Sequence, residues 1–395
     1  MASMANLKPL INIMSAPAIP NLNTLRRGGL RGRGRGRGAA GVGSAPSTSS
    51  KIIQHDAIVQ NTDNDAATSR LSAVDAGYLE DPYARLLTSG DDVARRLPLM
   101  NRGTYVRTTG IDRVVQTFLS AGGTARKQII SLGAGSDTRY FRLKQKHRDL
   151  DVVYHEIDFE ANTRRKIGRL RSPPFSAAAK DLAGIDVHAQ DVEISADGAS
   201  LTSPEYTIHP QDLRRLPQHD TGLPGIDKSL PTLIISECCL VYLPPDDADA
   251  VLQYFSNVFP STTPLAIVIY EPIRPHDAFG MTMVRNLTSR GIQLQTLEKY
   301  AGLEEQRKRL EAHGFKADAD GDGTRGESEA ADIEFIWRQW VAPDEKERID
   351  GLEWMDEVEE FVLLAQHYCI SWGWRGFTDG EAWDGLLSPP SSSDG

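Results

Sequence analysis

Residues 127–143 read KQIISLGAGSDTRYFRL, an apolar run followed by two glycines, Gly133 and Gly135, on either side of an alanine. An apolar strand that ends in Gly-x-Gly is typical of the first crossover of a nucleotide-binding sheet. The third glycine of a dinucleotide fingerprint is missing, because position 138 is a threonine, and Asp137 would repel a pyrophosphate. The stretch therefore favours a nucleoside ligand that carries no phosphate.

Apolar runs on both sides of this stretch alternate with helical patterns. Three further buried strands are predicted at 151–159 (DVVYHEIDF), 231–237 (PTLIISE) and 265–271 (LAIVIYE). Apolar residues at helical spacing predict two helices. The first contains Ile111, Val114, Val115, Phe118 and Leu119, and the second contains Val251, Leu252, Phe255, Val258 and Phe259. Gly122 and Gly123 are predicted to stop the first of them. Strands that alternate with helices predict a doubly wound, mostly parallel α/β sheet.

The C-terminal third is more helical. A second stripe at helical spacing is predicted to be core, and it comprises Trp354, Val358, Phe361, Val362, Ala365 and Tyr368. The segment YCISWGW at 368–374 follows it and predicts a last strand.

Polar residues follow the predicted strands where each strand ends, and ligands of open α/β sheets bind at that rim. Asp158 lies 25 residues beyond Gly133, the spacing of an acid that binds a ribose diol. Asp212 and Leu213 could bracket an adenine, and Glu237 ends the strand at 231–237. Acids at strand ends are often only solvated, but this ordered set fits a nucleoside site. S-adenosylmethionine is such a ligand, because it joins an adenosine to a sulfonium and an amino-acid end.

The charge of the chain is uneven along its 395 residues. Residues 1–50 contain seven basic residues and no acid, which gives this segment a net charge of +7. Because the whole chain has a net charge of −10, the remaining residues carry −10 − 7 = −17. An acidic body argues against a globular nucleic-acid-binding surface. The first 50 residues include RGRGRGRG at 31–38 and predict a disordered tail; weak RNA binding and a mitochondrial transit peptide are its alternatives. Residues 379–395 predict a second flexible tail, leaving one domain at 51–378.

Composition also bears on whether the protein spans a membrane and in which redox compartment it is expected. No run of about 18 apolar residues occurs, so a membrane span is not expected. The three cysteines, two of them adjacent, make an odd count without a C-x-x-C spacing. This pattern favours a reducing compartment, the cytoplasm or the nucleus, and no structural metal.

Residues 318–329, DADGDGTRGESE, match the pattern of a calcium-binding EF-hand loop. Arg325 occupies the position where such loops carry an aliphatic residue, and the chain has no second loop of this kind. An acidic surface turn is therefore the favoured interpretation, and calcium the alternative.

An ordered series of motifs resembles the leucine carboxyl methyltransferases. The motifs are SAVDAGYLEDPYAR (72–85), NRGTYVRTTGID (101–112), SLGAGSDTRYFRL (131–143), EIDF (156–159), DLRRL (212–216), ISECCLVYLPP (235–245) and HYCISW (367–372). The resemblance implies a class I S-adenosylmethionine-dependent methyltransferase fold, a seven-stranded sheet with a helical lid insertion. It implies methyl esterification of the C-terminal leucine of the type 2A protein phosphatase catalytic subunit by a monomeric enzyme.

Site residues follow from the same resemblance. Gly133 is implied to contact the cofactor, Asp158 its ribose, and Asp212 with Leu213 its adenine. Arg107 is implied to pair with the carboxylate of the cofactor, and Arg70 stands where the family tends to have a lysine. Glu237 and Tyr242 are implied to lie where the methionine end meets the substrate, with Arg107 and Tyr242 orienting the reacting groups.

The sequence shows no conspicuous catalytic base, and carboxylate methylation needs none. An α-carboxyl group has a pKa of about 3.5, so the nucleophile is already ionised at neutral pH. Orientation and exclusion of water then supply the rate enhancement. Three rivals remain: a related tRNA-modifying methyltransferase that acts on a wybutosine precursor, a small-molecule O-methyltransferase, and a non-catalytic scaffold. The first is disfavoured because its long β-propeller would not fit within 395 residues.

Overall fold

The computed structural model describes residues 48–90, 94–123, 126–218, 222–316, 325–356, 358–377 and 381–387. These ranges contain nine strands, and their bounds are β1 (Lys127–Leu132), β2 (Val152–Asp158), β3 (Glu193–Ile194), β4 (Leu201–Thr202), β5 (Tyr206–Pro210), β6 (Thr232–Glu237), β7 (Leu265–Pro272), β8 (Arg325–Asp332) and β9 (Tyr368–Phe377). They form one sheet in the order β3-β4-β5-β2-β1-β6-β7-β9-β8.

Thirteen α-helices lie within the described ranges. Their bounds are α1 (Thr48–Asp75), α2 (Ala84–Leu87), α3 (Pro98–Ser120), α4 (Arg139–Lys146), α5 (Glu160–Leu170), α6 (Pro173–Ala178), α7 (Pro245–Val258), α8 (Ala278–Ser289), α9 (Leu303–Ala312), α10 (Ile333–Gln339), α11 (Pro343–Asp350), α12 (Val358–Gln366) and α13 (Glu381–Asp384). Short 3₁₀ turns occur at Leu213–Gln218, Leu240–Tyr242 and Gly385–Leu387, and a π turn at Ala179–Ala183. Among these helices none combines the length and the apolar character that a membrane span requires.

The sheet has the doubly wound α/β architecture that the sequence predicts. Strands β5, β2, β1, β6 and β7 are parallel, and β9 inserts antiparallel between β7 and β8. These seven strands form the sheet that the resemblance implies, and β3 and β4 extend it by two residues each beside β5. Strand order reverses at β1, which pairs with β2 on one side and β6 on the other. A crevice at such a reversal is where open α/β sheets bind ligands.

Successive residues of the central strands enter two separate cores. Ile129 packs with Val114 and Phe118 of α3 on one face, while Ile130 packs with Leu252 and Phe255 of α7 on the other. Because neighbouring side chains of a strand point to opposite faces, a strand covered on both sides is apolar at most of its positions. This explains why the predicted strands are continuous apolar runs rather than alternating ones.

The predicted helices and strands of the central region are confirmed. Helix α3 contains the predicted apolar stripe and ends at Ser120, and Gly122 and Gly123 follow with positive φ angles. Strands β1, β2, β6 and β7 match the predicted runs within one residue at either end. Of the predicted helical residues, Phe259 alone lies just beyond the end of the observed helix α7, where it is still buried.

The predicted stripe at 354–368 is partly wrong. The helix is shorter, Val358–Gln366, and Trp354 precedes it with 86% of its surface exposed. Tyr368 begins β9 rather than ending the helix. Phe361 and Ala365 are the members of the stripe that are buried, and they belong to the core that also contains residues of α3 and β9.

Helical residues occur at the inner end of each predicted tail. Residues 48–50 already belong to α1, and residues 1–47 lie outside the described ranges. At the other end Trp383 stacks on Trp374 with ring centroids 5.7 Å apart, and Leu386 is buried. The folded body therefore continues to residue 387, because this tryptophan finds an aromatic face on β9. Residues 388–395 lie outside the described ranges.

The candidate calcium loop is only partly within the described residues. Asp318, Asp320, Asp322 and Gly323 lie outside them, and residues 325–329 form the first half of β8. In an EF-hand a helix follows the loop. Glu329 instead pairs with Trp372 in the sheet. The described half therefore does not have the geometry of a calcium hand, and no cluster of three metal-ligating side chains occurs within the described ranges.

Candidate functional site

The loop after β1 approaches its neighbours so closely that only glycine fits. Gly133 and Gly135 have φ angles of +61° and +44°, in the left-handed region that other residues rarely adopt. A Cβ on Gly133 would lie 2.6 Å from Cys239 Sγ, and one on Gly135 would lie 2.4 Å from an Asp63 carboxylate oxygen. The two glycines therefore let the segment after β6, which contains Cys239, and helix α1 approach the loop closely.

Asp158 ends β2 beside this loop. Its carboxylate accepts hydrogen bonds from the backbone N–H of Gly135 at 2.7 Å and of Phe159 at 2.6 Å, and from the Asn162 amide at 2.9 Å. Burial raises the pKa of Asp158 to about 6 in spite of these donors. The carboxylate is thus held in a fixed orientation at the carboxyl end of the sheet, where it can accept further hydrogen bonds from a ligand.

Asp212 and Leu213 lie at the start of the 3₁₀ turn after β5. Asp212 accepts hydrogen bonds from the backbone and the guanidinium of Arg214, which also pairs with Asp56 of α1 at 2.6 Å. Burial raises the pKa of Asp212, but the Arg214 contacts outweigh it and the pKa is lowered. The Leu213 side chain is buried next to this carboxylate. An ionised acid beside an apolar side chain is the arrangement that the sequence predicts for an adenine.

Glu237 and Arg107 form an ion pair at the end of β6. Arg107 Nε lies 2.5 Å from Glu237 Oε1, and the guanidinium carbon lies 4.6 Å from the centre of the Tyr270 ring. Burial by itself raises the pKa of Glu237, but Arg107 and Arg139 lower it to about 2. One fixed anion and one fixed cation therefore stand side by side.

Tyr242 and Tyr368 complete this end of the site. Burial raises the pKa of the Tyr242 hydroxyl above its usual value, so the hydroxyl stays protonated. The Tyr368 ring stacks on Tyr270 with centroids 5.5 Å apart. Aromatic faces and a phenol thus surround the Arg107–Glu237 pair.

Arg70 is held more tightly than its predicted role implies. Its Nε lies 2.6 Å from the buried carboxylate of Asp81, and another guanidinium nitrogen lies 3.2 Å from Thr108 Oγ1. It still borders the same cavity. Its contribution to a ligand would therefore compete with an existing ion pair.

All eight predicted residues border one cavity of about 350 Å³ at the carboxyl ends of the parallel strands. They are Arg70, Arg107, Gly133, Asp158, Asp212, Leu213, Glu237 and Tyr242. Helix α8, inserted between β7 and β8, adds Leu287, and α12 adds Leu364. The cavity has the size of a small-molecule site. Its acids at one end and its paired charges at the other suit a nucleoside joined to a zwitterion.

Two residues that shape the site were not predicted. Asp63 of α1 accepts a 2.7 Å hydrogen bond from the backbone N–H of Ser136 in the glycine loop. Arg139 of α4 reaches Glu237 at 3.2 Å from behind. The acid-rich NTDNDA at 61–66 could have drawn attention to α1, and Arg139 directly follows the Ser-Asp-Thr of the loop. In neither segment does the sequence pattern identify the distant residue that Asp63 or Arg139 contacts.

Replacing Gly135 with alanine is expected to lower the free energy of unfolding by about 1–3 kcal/mol, because the new Cβ meets Asp63 and the φ angle is unfavourable. Gly168, in the interior of α5 with nothing within 4 Å of its Cβ position, is the control. Alanine there should stabilise by about 0.5–1 kcal/mol. Urea denaturation of the two variants measures both values. Equal effects of the two substitutions would show that the close approach of α1 to the loop does not matter.

Comparison with known proteins points to one family. The family profile described as Leucine carboxyl methyltransferase matches residues 58–256, which include all eight predicted residues. Leucine carboxyl methyltransferase 1 of Emericella nidulans is 51% identical over 397 residues, covering 94% of this chain and 98% of that protein. Its counterpart in Aspergillus fumigatus is 52% identical over 389 residues, covering 91% and 94%. Among solved structures, a plantazolicin methyltransferase in complex with SAH covers 80% of this chain and 98% of its own, with 11% identity and a TM-score of 0.39.

Proposed function

Because this chain belongs to the leucine carboxyl methyltransferase family, we propose that it methylates the C-terminal leucine α-carboxylate of the type 2A protein phosphatase catalytic subunit. The observation that carries the proposal is the meeting of all eight predicted residues in one cavity at the carboxyl ends of the strands. The methyl donor is S-adenosylmethionine, which supplies an electrophilic methyl group on a sulfonium.

The residues present fit this donor by their chemistry. Asp158 offers a buried carboxylate to a ribose diol, and Asp212 with Leu213 offers an acceptor and an apolar face to an adenine. Arg107 and Glu237 offer one charge of each sign, which matches the carboxylate and the ammonium of an amino-acid end. The paired glycines let the backbone of the loop approach the ligand closely.

The reacting ends would meet beside Arg107 and Tyr242. The Arg107 guanidinium can turn from Glu237 to a ligand carboxylate, since it borders the cavity. The Tyr242 hydroxyl, kept protonated by burial, can donate a hydrogen bond that fixes the attacking carboxylate. Helix α1 borders the cavity through Thr62 and Asp63 and would exclude water from it. Excluding water strengthens the attraction between the positive sulfonium of the methyl donor and the negative carboxylate that attacks it. No residue needs to remove a proton, because the α-carboxylate is already ionised.

A labelling experiment tests the proposal. The purified protein is incubated with methyl-labelled S-adenosylmethionine and either the intact phosphatase or the phosphatase without its last leucine. We expect label only on the intact subunit, and we expect mild base to release it, as an ester requires. Equal labelling of the two substrates or base-stable label would contradict the carboxyl-ester assignment. Labelling of tRNA in place of the phosphatase would favour the tRNA-modifying rival.

A further inference from the structure

Arg139 is a buried cation without a role in the function proposed so far. Its side chain is 1% exposed, and its guanidinium contacts Asp112 at 2.9 Å, Glu237 at 3.2 Å and Asp137. Three carboxylates therefore converge on one arginine at the start of α4. A buried cluster of this kind does not contribute to solubility. Burying its charges costs free energy unless they are well paired and hydrogen-bonded.

The two carboxylate oxygens of Glu237 contact different arginines, and only one of these arginines borders the cavity. One oxygen contacts Arg107, which borders the cavity, and the other contacts Arg139, which does not. A ligand carboxylate can therefore draw Arg107 away, whereas Arg139 stays behind the wall. When Arg107 turns to the ligand, Arg139 is the cation that still touches Glu237.

We infer that Arg139 is a positioning residue that keeps Glu237 oriented and ionised while Arg107 binds the amino-acid end of S-adenosylmethionine. This inference rests on the proposed function, because it assigns Glu237 to the ammonium of that ligand. Arg139 itself touches neither cofactor nor substrate.

The charges around Glu237 agree with this role. The groups that face it are Arg70 of α1, Arg107 of α3, Arg139 of α4, the Cys238 thiol and the Tyr270 phenol. Burial raises the pKa of Glu237, and the arginines lower it to about 2. Removing Arg139 leaves the burial in place and takes away one of the two contacting cations, so the carboxylate should titrate at a higher pH.

The test compares Arg139→Gln with Arg142→Gln by calorimetry with S-adenosylhomocysteine between pH 8.5 and 4.5. Arg142 is a matched control, because it lies one turn further along α4 and shares Asp112 with Arg139, but does not contact Glu237. If Arg139→Gln does not fold, Arg139→Met replaces it, since an apolar thioether side chain also removes the charge and suits buried surroundings.

We expect Arg139→Gln to weaken binding about tenfold at pH 8.5, and the ratio of its Kd to that of the unaltered protein should grow as the pH falls. The growth should approach about tenfold for each pH unit below the new pKa of Glu237. Taking the ratio cancels the titration of Asp158, which both proteins share. For Arg142→Gln the ratio should not change with pH, and in a Glu237→Gln background Arg139→Gln should add no pH dependence.

The possible failures are distinct. A pH-independent ratio for Arg139→Gln or Arg139→Met, or the same pH dependence for Arg142→Gln, would overturn the positioning role and leave the proposed function intact. Failure of the unaltered protein to bind S-adenosylhomocysteine would overturn the proposed function and this inference with it.

Discussion

Replacing Arg107 with alanine is expected to lower kcat/KM for the phosphatase about 10³-fold while the protein stays folded. Arg107 borders the cavity, carries a fixed positive charge and lies over the Tyr270 ring. In the proposed site it makes two charge-assisted hydrogen bonds to a ligand carboxylate, each of which is worth about 1.5–3 kcal/mol. Since about 1.4 kcal/mol corresponds to a factor of ten in rate, their loss accounts for the expected effect.

The fold should survive this change because Glu237 keeps its contact with Arg139. Circular dichroism and thermal melting establish that the variant is folded, and initial rates of label transfer measure kcat/KM. Arg164→Ala is the control, since Arg164 is an exposed arginine paired with Glu160 and Asp197 on the surface. Its kcat/KM should be unchanged, because exposed ion pairs contribute little. A folded Arg107→Ala protein with normal kcat/KM would remove Arg107 from the site.

Replacing Asp158 with asparagine is expected to weaken S-adenosylhomocysteine binding about 100-fold at pH 7.5. A carboxylate can accept hydrogen bonds from both ribose hydroxyls while it keeps its backbone donors, whereas an amide has one acceptor oxygen and turns an NH₂ group toward donors. The loss of one or two charge-assisted hydrogen bonds, about 1.5–3 kcal/mol each, gives this magnitude. Calorimetry measures the Kd, and Asp197→Asn on the surface is the isosteric control.

The same pair of proteins should differ in pH dependence. The pKa of Asp158 is raised to about 6 by burial, so the carboxylate is ionised above that pH and protonated below it. The affinity of the unaltered protein should therefore fall as the pH drops below about 6, by up to about tenfold for each unit. The asparagine variant cannot titrate and should lose this step. If both proteins show the same pH profile, Asp158 is not the group that binds the ribose.

Much of the central fold could be predicted, because a strand that is buried on both faces of a parallel sheet has a short, mostly apolar sequence. Most positions of runs such as 129–132 and 265–270 are apolar, because both faces of these strands are covered. The C-terminal elements were harder. Trp354 has the spacing of a core residue but is exposed, and Trp383 lies in a predicted tail but is buried against Trp374. Whether a tryptophan is covered depends on a partner surface far along the chain.

The sequence by itself determined which residues stand at the carboxyl ends of the strands. Gly133, Asp158, Asp212 and Glu237 are adjacent in space because parallel strands present their ends at one rim, which follows from strand order and spacing alone. Only the tertiary structure decided how these groups are charged and covered. Asp63 reaches the glycine loop across 73 residues, and Arg139 reaches Glu237 across 98. Contacts between such distant segments depend on how helices pack on the sheet, and side-chain patterns within a segment do not encode them.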